Sequence, residues 1–348
     1  KIWIEMSTTS KQEVFRLSKL VENQGGFSAD CPVSGGCHRA STGNISIFSG
    51  CERKVFEKIR LVKPQRLYVA GGGPREDRES EKDKVKKVRE IATKIDWPCE
   101  VKILFRDQNL GCKKGVSTAI SWFFEQEERG IILEDDCVPN LDFFTFCETL
   151  LDRYAQDERI SAITGNHFQN DKFQVDTSYY FTKYFHCWGW ASWRRAWKYY
   201  QGDINFWPTW SNSKTWLSFM PYNAERRYWQ KIFDLVHAGK IDSWAYPYTA
   251  SIWYKGGLTA TPNVNLVSNI GFGDDATHTT NKISNLSNMK VNNLGEIKHP
   301  EKIERNIKAE TYTFNNVYKV KNILFPGRWI SIVQRLLKYI VSLKNKDY

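Results

Sequence analysis

The sequence predicts an α/β protein whose central sheet is mainly parallel and flanked by helices. Three observations predict it. From about residue 44 to residue 165, short apolar runs rich in β-branched residues alternate with longer, charged runs of helical spacing. Several of the short runs end in glycine, acids or polar residues, as strands do where they leave a sheet. A chain of 348 residues is also long enough to bury a large core, as one big domain or two.

The elements follow in order. ISIFS (45–49) precedes a helical CERKVFEKIRLV, and RLYVAG (66–71) precedes the charged EKDKVKKVREIA. VKILF (101–105) precedes CKKGVSTAISWFFEQ, and IILE (131–134) precedes LDFFTFCETLLDRYAQ, after which ISAIT (160–164) closes the series. Strands joined by helices of this length imply βαβ units, and open sheets of that kind bind ligands beyond the carboxyl ends of their strands. After residue 165 the pattern loosens into an aromatic region (179–210), an amphipathic helix at RRYWQKIFDLVHAG (226–239) and a loop, GFGDDATHT (271–279). Residues 280–320 are polar and weakly patterned, and lead to a basic amphipathic helix, RWISIVQRLLKYIVSLKNK. That helix can dock on its own domain or lie on an anionic membrane surface.

Composition narrows the classes. A net charge of +11 favours anionic partners, but no zinc-finger spacing, RNA-recognition signature or glycine–arginine repeat is present, so nucleic acid is not expected. The eight cysteines are scattered without a CxxC, which is the usage of a reduced compartment. No apolar run reaches the roughly 20 residues that span a bilayer, and no signal peptide opens the sequence. The expected location is therefore cytoplasmic, with peripheral contact to the inner membrane face through 328–346. Ten of the fourteen tryptophans lie between Trp188 and Trp253, as core or as a sugar-binding surface.

The run GIILEDDCVPNLDFFTF sets Glu134, Asp135 and Asp136 at the end of a strand that reads as buried. Carboxylates resist burial and repel one another. A divalent cation with a phosphorylated ligand would neutralise them in the crevice, whereas a solvated turn accounts for one or two acids better than for three.

Residues 54 to 280 resemble GT-A type glycosyltransferases, bacterial nucleotide-diphospho-sugar transferases, and more distantly the inverting N-acetylglucosaminyltransferases. The stretches that carry the resemblance are RLYVAGGGPR, RDQNLGCKKGV, ILEDDCVPNLDFF, ITGNHF, FHCWGWASWRRAW and TPNVNLVSNIGFGDDATHT. The resemblance implies a Rossmann-like GT-A fold. It implies a metal-dependent, inverting transferase moving a sugar from a nucleotide-diphosphate donor, a UDP-sugar above all, to a hydroxyl acceptor in cell-surface glycan synthesis. By resemblance Mn²⁺ or Mg²⁺ is held by Asp136 and His278, a hard cation suited to oxygen ligands. Arg75, Asn109, Gly111, Lys113, Lys114, Glu134 and Asp135 meet the nucleotide-sugar, and Trp188, Gly189 and Trp190 line the sugar or acceptor side. Relatives carry an acid just after the tryptophan of IDSWAY where this chain has Ala245, so Asp242, Asp274 and Asp275 are the alternatives for the catalytic base. Gly72 likewise replaces an aspartate. A weakened nucleotide-sugar-binding protein is the alternative function.

The N-terminus is of another kind. WIEMSTTS and DCPVSGGCHRASTGNISIFSGC resemble part of a β-hydroxyacid dehydrogenase, in which the PVSGG segment contacts the substrate carboxylate. The Gly-rich dinucleotide fingerprint does not appear in this sequence, so the fragment is read as a gene-fusion scar or a recruited segment. ISIFSG is then expected as the first strand of the main sheet. The resulting division is 1–43, an N-terminal segment, 44–280, the main domain, and 281–348, a polar linker with the basic helix.

Overall fold

The computed structural model describes residues 66–74, 99–134, 136–169, 175–269 and 286–318, the backbone of three short strands before residue 40, and single positions among 82–89, at 173 and at 271. The strands are β1 (Ile2–Glu5), β2 (Phe27–Asp30), β3 (Gly36–His38), β4 (Arg66–Gly71), β5 (Glu100–Phe105), β6 (Arg129–Leu133), β7 (Cys137–Pro139) and β8 (Ile160–Thr164). They continue with β9 (Tyr179–Thr182), β10 (Trp190–Trp193), β11 (Leu258–Pro262) and β12 (Val267–Asn269). The helices are α1 (Gly111–Gln126), α2 (Leu141–Arg153), α3 (Arg194–Trp197), α4 (Trp207–Ser211), α5 (Lys214–Phe219), α6 (Asn223–His237), α7 (Ala245–Tyr254) and α8 (Ile307–Asn316).

Eight strands form the main sheet in the order β5-β4-β3-β6-β10-β8-β11-β9. β4 and β5 pair in parallel, as do β8 and β11, while β3, β10 and β9 run antiparallel to their neighbours. The mixed α/β class is thus the observed one. The strands expected at RLYVAG, VKILF, IILE and ISAIT match β4, β5, β6 and β8 closely. ISIFSG and the helix after it lie outside the described residues, and the place between β4 and β6 is filled by Gly36–His38. β1 and β2 pair in parallel as a separate two-stranded sheet.

Each buried strand reads apolar because helices cover both faces. On one face α2 buries Phe143, Phe146 and Leu150 against Ile131, Leu133 and Ile163. On the other, α1 buries Ile120, Phe123 and Phe124 beside Tyr68 and Ile132. That second layer continues into an aromatic mass of Trp190, Trp207, Trp216, Trp229, Trp244 and Trp253, all at most 2 % exposed. Each such ring removes about 150–250 Å² of surface from water. Apart from the half-buried Trp188, the clustered tryptophans are therefore core, not a sugar-binding surface.

Two polar devices tie the layers. Glu127, just past α1, accepts from Arg66 Nη1 at 2.6 Å and from the Tyr68 hydroxyl at 2.9 Å. Arg195 donates from its three nitrogens to the carbonyls of Ala155, Ile160 and Tyr154 at 2.8, 3.0 and 2.7 Å, closing the turn between α2 and β8. Among the described residues no helix is long and apolar enough to cross a membrane.

Candidate functional site

β4, β5, β6 and β8 all point their carboxyl ends to one edge of the sheet, where such folds open their crevice. Three segments build it. The first is the loop from β5 into α1. Asn109 Oδ1 accepts from Gly111 N–H at 2.8 Å, and Gly111 holds φ +74°, a backbone state that favours glycine. Leu110 stands at the N-cap with no side chain to offer the free helix donors. Asp242 supplies the cap instead from 130 residues away: its Oδ2 accepts from Cys112 N–H at 3.0 Å and its Oδ1 from Lys113 N–H at 2.9 Å. A carboxylate at a helix N-terminus also meets the positive end of the dipole. Lys113 pairs with Asp203 at 2.6 Å, and that lysine holds the Asp203 carboxyl below its ordinary value. Lys114 is exposed. The terminus expected to meet a diphosphate is therefore closed by the protein's own acids.

The second segment is the strand end that carries the acids. Glu134 accepts from the buried Trp244 indole at 3.0 Å. Asp136 is half-buried; burial raises its carboxyl above the ordinary value, while the Asn269 amide and the Cys137 thiol, 3.3 Å away, bond to it. The β7–β12 ribbon explains Asn269, because the register sets it opposite Cys137. Gly271 follows, and a Cβ there would lie 2.2 Å from Asp136 Oδ2, so only glycine fits. Burial, reinforced by the Glu134 and Asp136 carboxylates, pushes the Cys137 and Cys187 thiols well above their ordinary values, so neither is a thiolate nucleophile.

The third segment is WGW. Because β10 is antiparallel to β6, Trp188 and Gly189 arrive beside the end of β6. Gly189 holds φ +72°, and a Cβ there would lie 2.8 Å from Val267. Trp188 is half-buried, edge-on to Phe168 at 5.4 Å. Trp190 is fully buried and stacks on Trp244 at 5.5 Å, so it belongs to the core and not to a sugar or acceptor surface.

The structure thus brings Asn109, Gly111, Lys113, Glu134, Asp136, Trp188, Gly189 and Asp242 to one edge. Arg75, Asp135, Asp274, Asp275 and His278 lie outside the described residues. Asp242 serves as a helix cap, a duty no local spacing could reveal. Among the described residues no group of three or more His, Cys, Asp or Glu is placed to hold a metal ion.

Comparison with known proteins points elsewhere than the glycosyltransferase resemblance. The family model described as the NAD binding domain of 6-phosphogluconate dehydrogenase matches residues 1–62. A 2-(hydroxymethyl)glutarate dehydrogenase of Eubacterium barkeri is 36 % identical over 59 residues, 17 % of this chain and 20 % of that protein. The chain thus spans about a fifth of the length of the curated relative it matches. These matches correct the expected nucleotide-sugar transferase, its weakened binding variant, its UDP-sugar donor and hydroxyl acceptor, and its Mn²⁺ or Mg²⁺. The matched family binds a nicotinamide dinucleotide, and the N-terminal segment set aside as a recruited fragment is the part that carries the match.

Proposed function

We propose that the chain is an oxidoreductase that uses a nicotinamide dinucleotide, NAD or NADP, on a small hydroxy acid. The observation that carries the reading is the match of residues 1–62 to a dehydrogenase NAD-binding domain. It is supported by the parallel pairing of β1 with β2 inside that segment, since parallel strands need a crossover connection of the βαβ kind. The dinucleotide, when bound, would supply the hydride acceptor for oxidising a carbinol to a carbonyl.

The chain's own residues do the rest. By resemblance, PVSGG (32–36) meets the substrate carboxylate, and its glycines permit close backbone approach. Glu134, Asp136, Trp188 and Gly189 form the crevice wall on the substrate side. The α1 terminus does not fit a diphosphate, because the Asp242 carboxylate already takes its donors. As architecture, we assign the main sheet to the GT-A variety of Rossmann-like folds, with β10 inserted antiparallel between β6 and β8. Fold alone does not fix chemistry. The segments 1–43, 44–280 and 281–348 remain the proposed division, with β3 of the first built into the sheet of the second. The cysteines Cys99, Cys137, Cys147 and Cys187 are free thiols, which suits a cytoplasmic setting, with 328–346 touching the inner membrane face.

The test is a panel of hydroxy-carboxylic acids, hydroxymethylglutarate included, incubated with the full chain and NAD⁺ or NADP⁺. Growth of reduced-nicotinamide absorbance with at least one acid is expected. No reduction with any acid, together with no dinucleotide binding, contradicts the reading.

A further inference from the structure

The two edges of the main sheet differ. At one, β9 is covered. Ser178 N–H donates to the Lys298 carbonyl and Asn306 N–H to the Phe181 carbonyl, each at 2.8 Å, and Arg305 bridges Phe181 in parallel. At the other, β5 pairs with β4 on its inner side, and among the described residues no strand pairs with its outer side. A strand at such an edge presents a row of backbone N–H and C=O groups to an incoming strand. Burial follows the same division. β8, β9, β10 and β11 are buried along their whole length, whereas no residue of β5 is buried, and Ile103 is 42 % exposed.

Side chains alternate between the two faces along a strand, so Val101 and Ile103 share one face of β5, and Glu100 and Lys102 the other. Cys99, just before the strand, continues the apolar face. Lys102 Nζ lies 3.4 Å from Glu100, and Arg66 of β4 lies 3.5 Å from the same carboxylate, with all three side chains at least a third exposed. A lysine on an edge strand by itself discourages pairing. Here the acid two residues away reverses that effect for one partner, a copy of the same strand. In an antiparallel pairing centred on Val101, Glu100 of each copy stands opposite Lys102 of the other. The same register sets Cys99 opposite Ile103, and Val101 opposite itself. The strand is therefore self-complementary on both faces, in charge on one and in apolar character on the other. Centring the pairing on Lys102 instead sets two lysines against each other, which is destabilising.

We propose that the outer edge of β5 is an interface for a second copy of this chain. The two β5 strands pair antiparallel about Val101, and the two main sheets join into one across a two-fold axis. The inference stands on the pattern of β5 and on the bare sheet edge, and is independent of the oxidoreductase reading. One short strand makes a small interface, so the dimer is reversible, with a dissociation constant on the order of 10 µM.

The experiment is analytical ultracentrifugation of the full chain as wild type, Glu100→Lys, Lys102→Glu and an equimolar mixture of the two variants. The wild type should self-associate. Each single variant should associate at least about tenfold more weakly, because like charges then face each other twice across the two-fold. The mixture should recover association close to that of the wild type, since an acidic strand then meets a basic one. A purely structural role for either residue is not restored by mixing. A wild type that stays monomeric at about 300 µM overturns the proposal and leaves the edge to a strand of another protein. A single variant that associates as tightly as the wild type overturns it too, as does a mixture no tighter than its components. Val101→Cys tests the register with no change of charge. Residues opposite each other in an antiparallel pair have Cα atoms about 4.5–5.5 Å apart, within the reach of a disulfide. Mild oxidation should therefore trap more covalent dimer in this variant than in the wild type, and no gain overturns the pairing about Val101.

Discussion

Lys183 is sealed inside the fold, whereas Lys86 stands at the rim of an open cavity, and the charges around each differ accordingly. Lys183 lies on the turn after β9, 2.8 Å from Glu225 of α6 and 3.8 Å from Glu310 of α8. Glu310 also takes Arg305 Nη2 at 2.6 Å, and Glu225 accepts from the Tyr184 hydroxyl. Two cations thus meet two carboxylates, with both glutamates and Lys183 nearly free of solvent. Lys86, by contrast, is exposed on the rim of an open cavity whose described lining also holds Asp107. Balanced charge joins β9, α6 and α8 into one unit. A charge at the crevice edge keeps its water and costs little to hold there.

Breaking the balanced cluster is the largest expected effect. Glu310→Ala leaves Arg305 and Lys183 with a single acid between them, and should cost about 3–5 kcal/mol in urea unfolding. A loss under about 1 kcal/mol would mean that water replaces the carboxylate freely, and the contrast with the open cavity would fail.

Burial acting on single groups sharpens the same contrast. His186 is held down to about 3 and His167 to about 4, in both cases chiefly by burial. His186 is wedged between Phe168 and Tyr184, and His167 Nδ1–H donates to the Pro262 carbonyl at 2.8 Å. Both folded values lie below the ordinary 6.5, so the unfolded chain takes up these protons first. Their contribution is therefore whole above about pH 6.5 and is lost as pH falls towards the folded values. Each histidine contributes a slope approaching about 1.4 kcal/mol per pH unit inside that window. Urea unfolding at several pH values, wild type against His186→Gln, should show the slope reduced by about that amount.

Smaller still is the helix cap. Asp242→Ala removes two acceptors from the α1 terminus and should cost about 1 kcal/mol, within the usual 0.5–2 for a lost cap. It also frees those donors, so pyrophosphate should bind the variant more tightly than the wild type. The smallest stability effect belongs to Lys86→Glu, within about 0.5 kcal/mol of wild type, as for an exposed residue without a structural duty. That change should leave the thermal transition in place.

Legibility in the sequence followed the range of the signal. β4, β5, β6 and β8 and the helices α1 and α2 were readable because each is written locally, as an apolar run or as a helical stripe between turn residues. β9 and β10 were not, since YYFT and WASW lie in an aromatic stretch that is buried throughout and has no period of two. The acids at Glu134 and Asp136 were found by their position at a strand end, but their partners Trp244 and Asn269 come from far along the chain. Asp242 stood out beside Ala245 as a possible base, and only the fold shows its carboxylate spent on α1. The charged run EKDKVKKVREIA was read as a helix.

The central claim is that this chain binds a nicotinamide dinucleotide, and titration of the full chain with NADH tests it most directly. Its tryptophans, ten of fourteen lying between Trp188 and Trp253, give a strong donor signal for energy transfer to the reduced nicotinamide. The account predicts saturable quenching of tryptophan emission with matching sensitised nicotinamide emission, competed by NAD⁺ or NADP⁺. Emission that falls only in proportion to added absorbance, with no competition up to about 1 mM, a concentration at which binding weaker than about −4 kcal/mol would escape detection, would contradict it.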